Sequence, residues 1–208
     1  MWITIGLKDT AESLGFAHGL VWETVWSAPE NAALRESKRE GLVLNPGDRI
    51  FIPARREQWK DAPIDHRTTF RRHGVPSKIR LRLEINDEPE DGVPYVLETG
   101  QQRIESYVPS DGIIEHWVRP DQEDAVLWVG AGATRRRFEL KLRELRPLDT
   151  IAGIQNRLAN LGYPVTVTGA MNQETHDMLC LFQRRNQLAV TGEADDDTQS
   201  ALKSRHGV

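Results

Sequence analysis

This sequence has almost none of the features that mark secreted or membrane proteins. It contains one cysteine, Cys180, in 208 residues, so no disulfide can form within the chain. No window approaches the roughly 18 apolar residues of a membrane-spanning helix, and no signal peptide opens the chain. We therefore expect synthesis in the cytoplasm, no membrane partner, and a non-classical route if the protein acts in the periplasm or cell wall.

A strong charge of one sign is also missing. The 27 basic and 31 acidic side chains give a net charge of -4, which argues against a nucleic-acid partner. The six histidines are scattered without metal-ligand spacing, and no nucleophile elbow or facing carboxylate pair can be recognised. We predict a non-enzymatic protein that uses no cofactor and no metal.

What the sequence does contain predicts an α+β multi-domain protein. Prolines and glycines divide it into short elements, and the hydrophobic pattern changes along its length. The predicted parts are a βααβ module at residues 1–53, a linker at 54–77, an antiparallel β-sandwich at 78–146, and a helical domain of three helices at 147–208. Five of the six tryptophans fall at predicted core positions, while Trp59 is predicted to dock one domain onto another.

The first module is predicted from its two ends. Asp9 and Glu12 have the spacing of a capping box that starts a helix. At the other end, the letters LVLNPGDRIFIP place a polar turn, Asn45 to Asp48, before a short final strand. The order is therefore strand, helix, helix, strand.

The last segment contains an internal repeat. Thr168 and Gly169 recur as Thr191 and Gly192, and the spacing of 23 also relates the next threonines and leucines. Each copy is a glycine turn that leads into a helix with an apolar stripe. The repeat predicts two equivalent turns within a three-helix bundle.

This segment resembles the peptidoglycan-binding domain 1 family. The resemblance is carried by IQNRLANLGY at residues 154–163 and by the stretch from Val167 to Leu202, which follow the family's order of striped helix, turn, helix and closing turn. It implies peptidoglycan as a partner. The residues expected to line the ligand groove are Gly169, Met171, Gln173 and Arg184. A solvated helix face explains the same arginine equally well.

The N-terminal module resembles a LysM module, whose family binds glycans that contain N-acetylglucosamine. The resemblance is carried by Asp9 and Thr10 at the first helix and by the Asn-Pro-Gly-Asp turn before the last strand, while Lys8 replaces the usual glycine. It implies a shallow groove between these loops. The implied ligand-binding residues are Asp9, Thr10, Ala11, Asn45, Pro46 and Gly47. The same residues also suffice as a cap and a turn.

Together, these features predict a bacterial peptidoglycan-binding or cell-wall-targeting protein. An alternative comes from the architecture, which is similar to accessory proteins of type VI secretion and phage-tail-like contractile systems. In that case the chain is an adaptor that docks a secreted effector or a spike protein. An effector enzyme with its chemistry in the β segment ranks below both.

Overall fold

The computed structural model describes residues 1–37, 43–56, 59, 61, 64, 65, 67, 77–85, 88–100 and 102–207. Within these ranges, buried apolar side chains form three clusters. They define an N-terminal unit (described residues of 1–53), a β unit (described residues of 77–142) and a helical unit (148–207). We call residues 143–147, between the last two, the junction segment. The linker predicted at 54–77 lies largely outside the described residues.

The N-terminal unit consists of a two-stranded ladder covered by short helices. Its elements are β1 (Trp2–Thr4), α1 (Ala11–Ala17), α2 (Trp22–Trp26), a 3₁₀ turn (Pro29–Asn31), α3 (Ala32–Glu36) and β2 (Arg49–Phe51). The strands are antiparallel, with Trp2 opposite Phe51. Leu14 and Val25 from the helices bury against Ile50 of β2. The predicted order is present, with one more short helix before the last strand.

The start of α1 differs from the prediction by one residue. The N-cap is Thr10, whose hydroxyl accepts from the Ser13 N–H at 3.0 Å, while the Ser13 hydroxyl accepts from the Thr10 N–H at 3.0 Å. This reciprocal pair is a capping box without a carboxylate. Asp9 instead accepts a hydrogen bond from the Gly6 N–H at 2.8 Å. The predicted pairing of Asp9 with Glu12 is wrong because a hydroxyl at each end of the turn already satisfies both N–H groups.

The β unit has two layers that share one core. Its strands are β3 (Ser77–Arg82), β4 (Glu84–Ile85), β5 (Glu88–Pro89), β6 (Pro94–Thr99), β7 (Gln102–Tyr107), β8 (Ile113–Val118), β9 (Asp124–Val129) and β10 (Arg136–Lys141). One antiparallel sheet has the order β10-β9-β6-β7, while β3 pairs with β8 and β4 with β5. Ile114 of β8 is buried in one cluster with Leu97 and Leu127 of the sheet. All of these pairings are antiparallel, as the alternating pattern predicts, while the sandwich stays a prediction.

The tryptophans divide between core and surface. Trp22 and Trp26 pack against the N-terminal core. Trp2 and Trp117 are exposed, because alternate residues of a strand face opposite sides and these two fall on the outer one. Trp59 is 90% exposed, so the prediction that it docks one domain onto another is wrong.

The helical unit consists of three capped helices. They are α4 (Ile151–Asn160), α5 (Gln173–Arg185) and α6 (Asp196–His206). Thr150, Asn172 and Asp195 are the N-caps, each accepting a hydrogen bond from a backbone N–H three residues later. Leu158, Leu179, Phe182 and Leu202 fill the core. The apolar stripes and glycine turns of the sequence predict this bundle correctly.

Candidate functional site

The two glycine turns of the helical unit are each fixed by a buried glutamine. In the first turn, the side-chain oxygen of Gln155 accepts from the N–H groups of Thr168 and Gly169 at 3.0 and 2.9 Å. Its nitrogen lies 3.0 Å from the Ala170 carbonyl and 2.8 Å from the Thr175 hydroxyl. The fully buried side chain therefore joins α4, the turn and the start of α5.

The second turn repeats this arrangement one helix later. Gln183 of α5 accepts from the N–H groups of Thr191 and Gly192 at 3.0 and 2.9 Å. Its nitrogen donates to the Glu193 carbonyl at 2.8 Å and to the Thr198 hydroxyl at 2.9 Å. The sequence repeat of turns is thus a repeat of the same hydrogen-bonded clamp.

Both turns require glycine for the same reason. Gly169 and Gly192 have φ of 75° and 72°, a backbone conformation that side chains with a Cβ rarely adopt. At Gly192 a Cβ would also stand 2.2 Å from the imidazole of His176. The ring of His176 therefore packs directly on the second turn.

The first half of α5 lies between the two turns. Glu174 accepts from the Thr166 N–H of the first turn at 3.1 Å, whereas His176 covers Gly192 of the second. Gln173 donates to Asp177 at 2.8 Å, one helical turn away. We call the exposed surface made by residues 166–171, the start of α5 and residues 190–193 the two-turn surface.

The structure brings together three of the four residues predicted in this unit. Gly169 and Met171 belong to the first turn, and Gln173 is exposed at the adjoining helix start. Arg184 is exposed in the last turn of α5, about 16 Å away along the helix axis at 1.5 Å per residue. Arg184 therefore does not line a common groove with the other three. Its neighbour Arg185 lies over the ring of Tyr163 at 5.5 Å.

The turn predicted on one side of the N-terminal groove lies beside the end of β1. The Gly47 N–H donates to the Ile5 carbonyl at 2.9 Å, and the Ile5 N–H donates to the Asp48 carbonyl at 2.8 Å. Asn45 is half-buried, while Pro46 and Gly47 are exposed beside it. These bonds continue the pairing of β1 with β2. They do not join Asp9 or Thr10 to the turn, so the implied groove stays a prediction.

Two of the residues predicted on the helix side of this groove have structural roles. Ala11 is 0% exposed and belongs to the core, so its side chain does not line a groove. Thr10 is half-buried and its hydroxyl caps α1. Both follow from their position at the first turn of a helix that packs inward.

The loop before α1 is paired with the β unit and the junction segment. Lys8 donates to Glu123 at 2.6 Å, and this hydrogen bond raises the pKa of the lysine. The Asp9 carboxylate lies 3.7 Å from the Arg143 guanidinium. Arg146 donates to the Leu7 carbonyl at 2.6 Å. Three consecutive residues of this loop thus contact other parts of the chain.

The junction segment also contacts the helical unit closely. A Cβ at Gly153 of α4 would stand 1.9 Å from the Pro147 carbonyl oxygen, so only glycine leaves room for the segment to cross the helix here. Arg157, one helical turn later, donates to the Arg146 carbonyl at 2.8 Å. The segment is therefore fixed against both the N-terminal and the helical unit.

Among the described residues, the His, Cys, Asp and Glu side chains form no group of three or more that could hold a metal ion. None of the helices in the described ranges has the length and apolar character that a bilayer crossing requires.

Sequence reasoning missed the residues that shape the two-turn surface. Gln155 and Gln183 each sit within an apolar stripe, but they are 28 residues apart, so the repeat spacing of 23 does not relate them. His176 gives no signal either, because its partner is the backbone of a turn 16 residues away.

The helical unit is an α-helical bundle with a repeated turn. Residues 149–202 match the family described as "Putative peptidoglycan binding domain". The matched range includes α4, α5, both turns and the first part of α6. The predicted resemblance of the last segment to that family is therefore confirmed, while the LysM resemblance of the N-terminal module stays a prediction.

The chain is also similar to a curated protein named "Proline--tRNA ligase" from Halorubrum lacusprofundi. The two are 26% identical over 136 residues, which is 59% of this chain and 27% of that protein. The chain thus spans about a quarter of the length of that relative, and the similarity carries no activity to it. No solved structure matches the chain significantly.

Proposed function

We propose that this protein binds peptidoglycan through the two-turn surface of the helical unit and catalyses no reaction on it. The observation that carries the proposal is the match of residues 149–202 to a peptidoglycan-binding family. The repeated glutamine clamp supports it, since residues 166–171 and 190–193 are held in one conformation before any ligand arrives.

Pre-organisation matters because ordering loops on binding reduces affinity. A loop that is already fixed by buried hydrogen bonds loses little further conformational freedom when a ligand contacts it. Val167, Met171 and Val190 also keep large exposed apolar surfaces on this face. Such side chains can contact the acetamido and alanyl methyl groups of peptidoglycan, while nearby amides and carboxylates meet its polar groups.

The N-terminal unit is the second wall contact in this proposal. The adjacent loops at Ile5 and Gly47 support a groove at this place, with exposed Pro46 on its rim. Ala11 and Thr10 contribute to the fold rather than to the ligand. The groove that remains is formed mainly by Asn45 and its neighbours in the turn.

Co-sedimentation of the full chain with purified sacculi tests the proposal. Met171→Asp adds a charge at a half-exposed apolar position of the two-turn surface, and we expect about tenfold weaker binding, as for a central interface residue. Ile85→Asp is the matched control, because Ile85 is similarly exposed, at 50% against 46%, in the β unit. It should sediment like the unaltered chain.

Two results would count against the proposal. The chain would stay in the supernatant with sacculi of several species, or Met171→Asp would sediment as well as the unaltered chain. Capture of a spike or effector protein by a chain that ignores sacculi would favour the adaptor alternative, which remains a prediction without a structural observation of its own.

A further inference from the structure

A polar cavity lies in the β unit, away from the two-turn surface. Its volume is about 420 Å³, within the range of small-molecule sites. The walls come from Thr99 and Gln102, on either side of the β6–β7 turn, and from the loop that joins β8 to β9. Lys8 of the N-terminal unit reaches this loop through Glu123.

At the sheet side of the cavity lies the hydroxyl of Thr99. The residue is 3% exposed, and its side chain forms no hydrogen bond with another described residue. The hydroxyl is not one of the fully enclosed polar atoms that lack a partner, so its remaining exposure faces the cavity. A molecule in the cavity can therefore hydrogen-bond to it.

The opposite wall carries an amide whose position is fixed. Gln122 donates to the Asp124 carbonyl at 2.7 Å. Its side-chain oxygen lies 2.7 Å from the place where a Cβ of Gly100 would stand, so the amide is pressed against the β6–β7 turn. A glutamine amide offers both donors and acceptors, and here its orientation is set by the protein.

The acidic groups of the cavity already have cationic partners. Arg119 donates to both oxygens of Asp121 at 2.9 and 2.6 Å, and Lys141 donates to Asp124 at 2.7 Å. These hydrogen bonds lower the pKa of both aspartates, which keeps them ionised. Because each carboxylate has about four lone-pair positions, the pairing leaves acceptor sites for a ligand.

This lining selects among ligand classes. An apolar molecule would leave the amides and carboxylates unpaired, and an anion would meet three acidic residues. A cation would lie beside Arg119 and Lys141, whose like charge disfavours it. A neutral molecule rich in hydroxyl groups satisfies all of these groups, since it donates to the carboxylates and both donates to and accepts from the amides and the threonine.

We propose that this cavity binds an uncharged mono- or disaccharide, with Thr99, Gln122 and Asp121 hydrogen-bonded to its hydroxyl groups. The site lies outside the segment matched to the peptidoglycan-binding family, and the inference does not depend on binding by the two-turn surface.

Titration of the full ¹⁵N-labelled chain tests the inference with three probes, namely N,N′-diacetylchitobiose, maltose and spermidine. We expect at least one sugar, and not spermidine, to give saturable shifts at the amides of Thr99, Gly100, Gln102 and residues 119–124. Thr99→Val and Gln122→Ala should each weaken that binding about fivefold, the effect of one neutral hydrogen bond. Thr134→Val is the matched control, because that hydroxyl lies in the exposed β9–β10 connection.

Thr99→Val gives a second readout. The Thr99 hydroxyl bonds no other described residue, so its removal should leave the ligand-free chain about as stable as before, and weaker sugar binding by this variant would not reflect unfolding. Three results would overturn the inference: neither sugar binds, shifts appear only at other residues, or Thr99→Val binds sugar normally. Saturable shifts with spermidine alone would likewise overturn it, since they would show a cation site. Sedimentation with sacculi is a separate measurement, so failure of either proposal is seen without the other.

Discussion

Replacement of Gln155 by leucine should destabilise the helical unit strongly, although the two side chains are similar in size. The side chain is fully buried, and five hydrogen-bonding contacts connect it to the first turn and to α5. Leucine has a similar volume, so packing changes little. The replacement therefore removes hydrogen bonds rather than packing contacts.

The magnitude follows from the groups that leucine would leave unpaired. The backbone N–H groups of Thr168 and Gly169 lose their partner, at about 1.5 kcal/mol each. The Ala170 carbonyl keeps a hydrogen bond from the Thr168 hydroxyl, and the two threonine hydroxyls can turn to other acceptors. Water can reach part of the exposed turn, which limits the cost. We expect a loss of about 3 kcal/mol in the free energy of unfolding of this unit.

Far-UV circular dichroism at increasing urea concentration is the suitable assay, because all six tryptophans precede the helical unit and their fluorescence reports on the other parts. Gln199→Leu is the control, since that half-buried glutamine donates a single hydrogen bond, to the Ala194 carbonyl at 2.8 Å. Gln183→Leu should match Gln155→Leu. If Gln155→Leu and Gln199→Leu lower the free energy of unfolding by the same small amount, the reasoning that the clamp stabilises this unit would be refuted.

Three further perturbations test other parts of the fold. Asn31→Leu should destabilise the N-terminal unit by about 3 kcal/mol, seen by tryptophan fluorescence, because the buried amide bonds both the N–H and the carbonyl of Phe51. Gly153→Ala should destabilise the fold by about 1–3 kcal/mol through a clash with Pro147, which lowers the melting temperature. An unchanged melting temperature would show that the junction segment can move away. Burial, with a smaller effect of a nearby arginine, lowers the pKa of His206 to about 4. The unfolded chain therefore binds this proton more readily than the folded chain, so the free energy of unfolding is highest above pH 6.5 and falls towards pH 4. The fall is about 2 kcal/mol after discounting for partial exposure. His206→Gln should remove this pH-dependent fall, as measured by urea titrations.

The repeat was predictable from sequence because its signal is local. A glycine two residues after a valine, followed by a helix cap and a threonine, fixes each turn within a few residues, and the second copy confirms the first. The clamp was not predictable in the same way. Gln155 and Gln183 meet their turns across gaps of 13 and 8 residues, and only the packing of the helices brings them there.

The N-terminal site shows a different limit of sequence reasoning. The pattern around Asp9 and Asn45 predicted a helix start and a turn before the last strand, and the structure has both. It did not reveal that Ala11 faces the core, because a short helix start carries too little periodicity to show which side is buried. It also did not predict that Lys8 pairs with Glu123, since that contact joins residues far apart in sequence.

The N-terminal and helical units, which carry the proposed wall contacts, are attached at the junction segment by different forces. The N-terminal loop is attached mainly by half-exposed charged groups, such as Lys8 with Glu123, whose attraction is weak in water and screened by salt. The helical unit is attached by the close approach of Pro147 to Gly153 and by the buried Arg157, which salt does not screen. We therefore expect salt to weaken the attachment of the N-terminal loop more than the attachment of the helical unit to the junction segment. A ligand that contacts both units would gain affinity from their connection only at low salt, where the ion pairs keep the N-terminal loop attached. We therefore expect the helical unit to provide the part of binding that does not depend on salt.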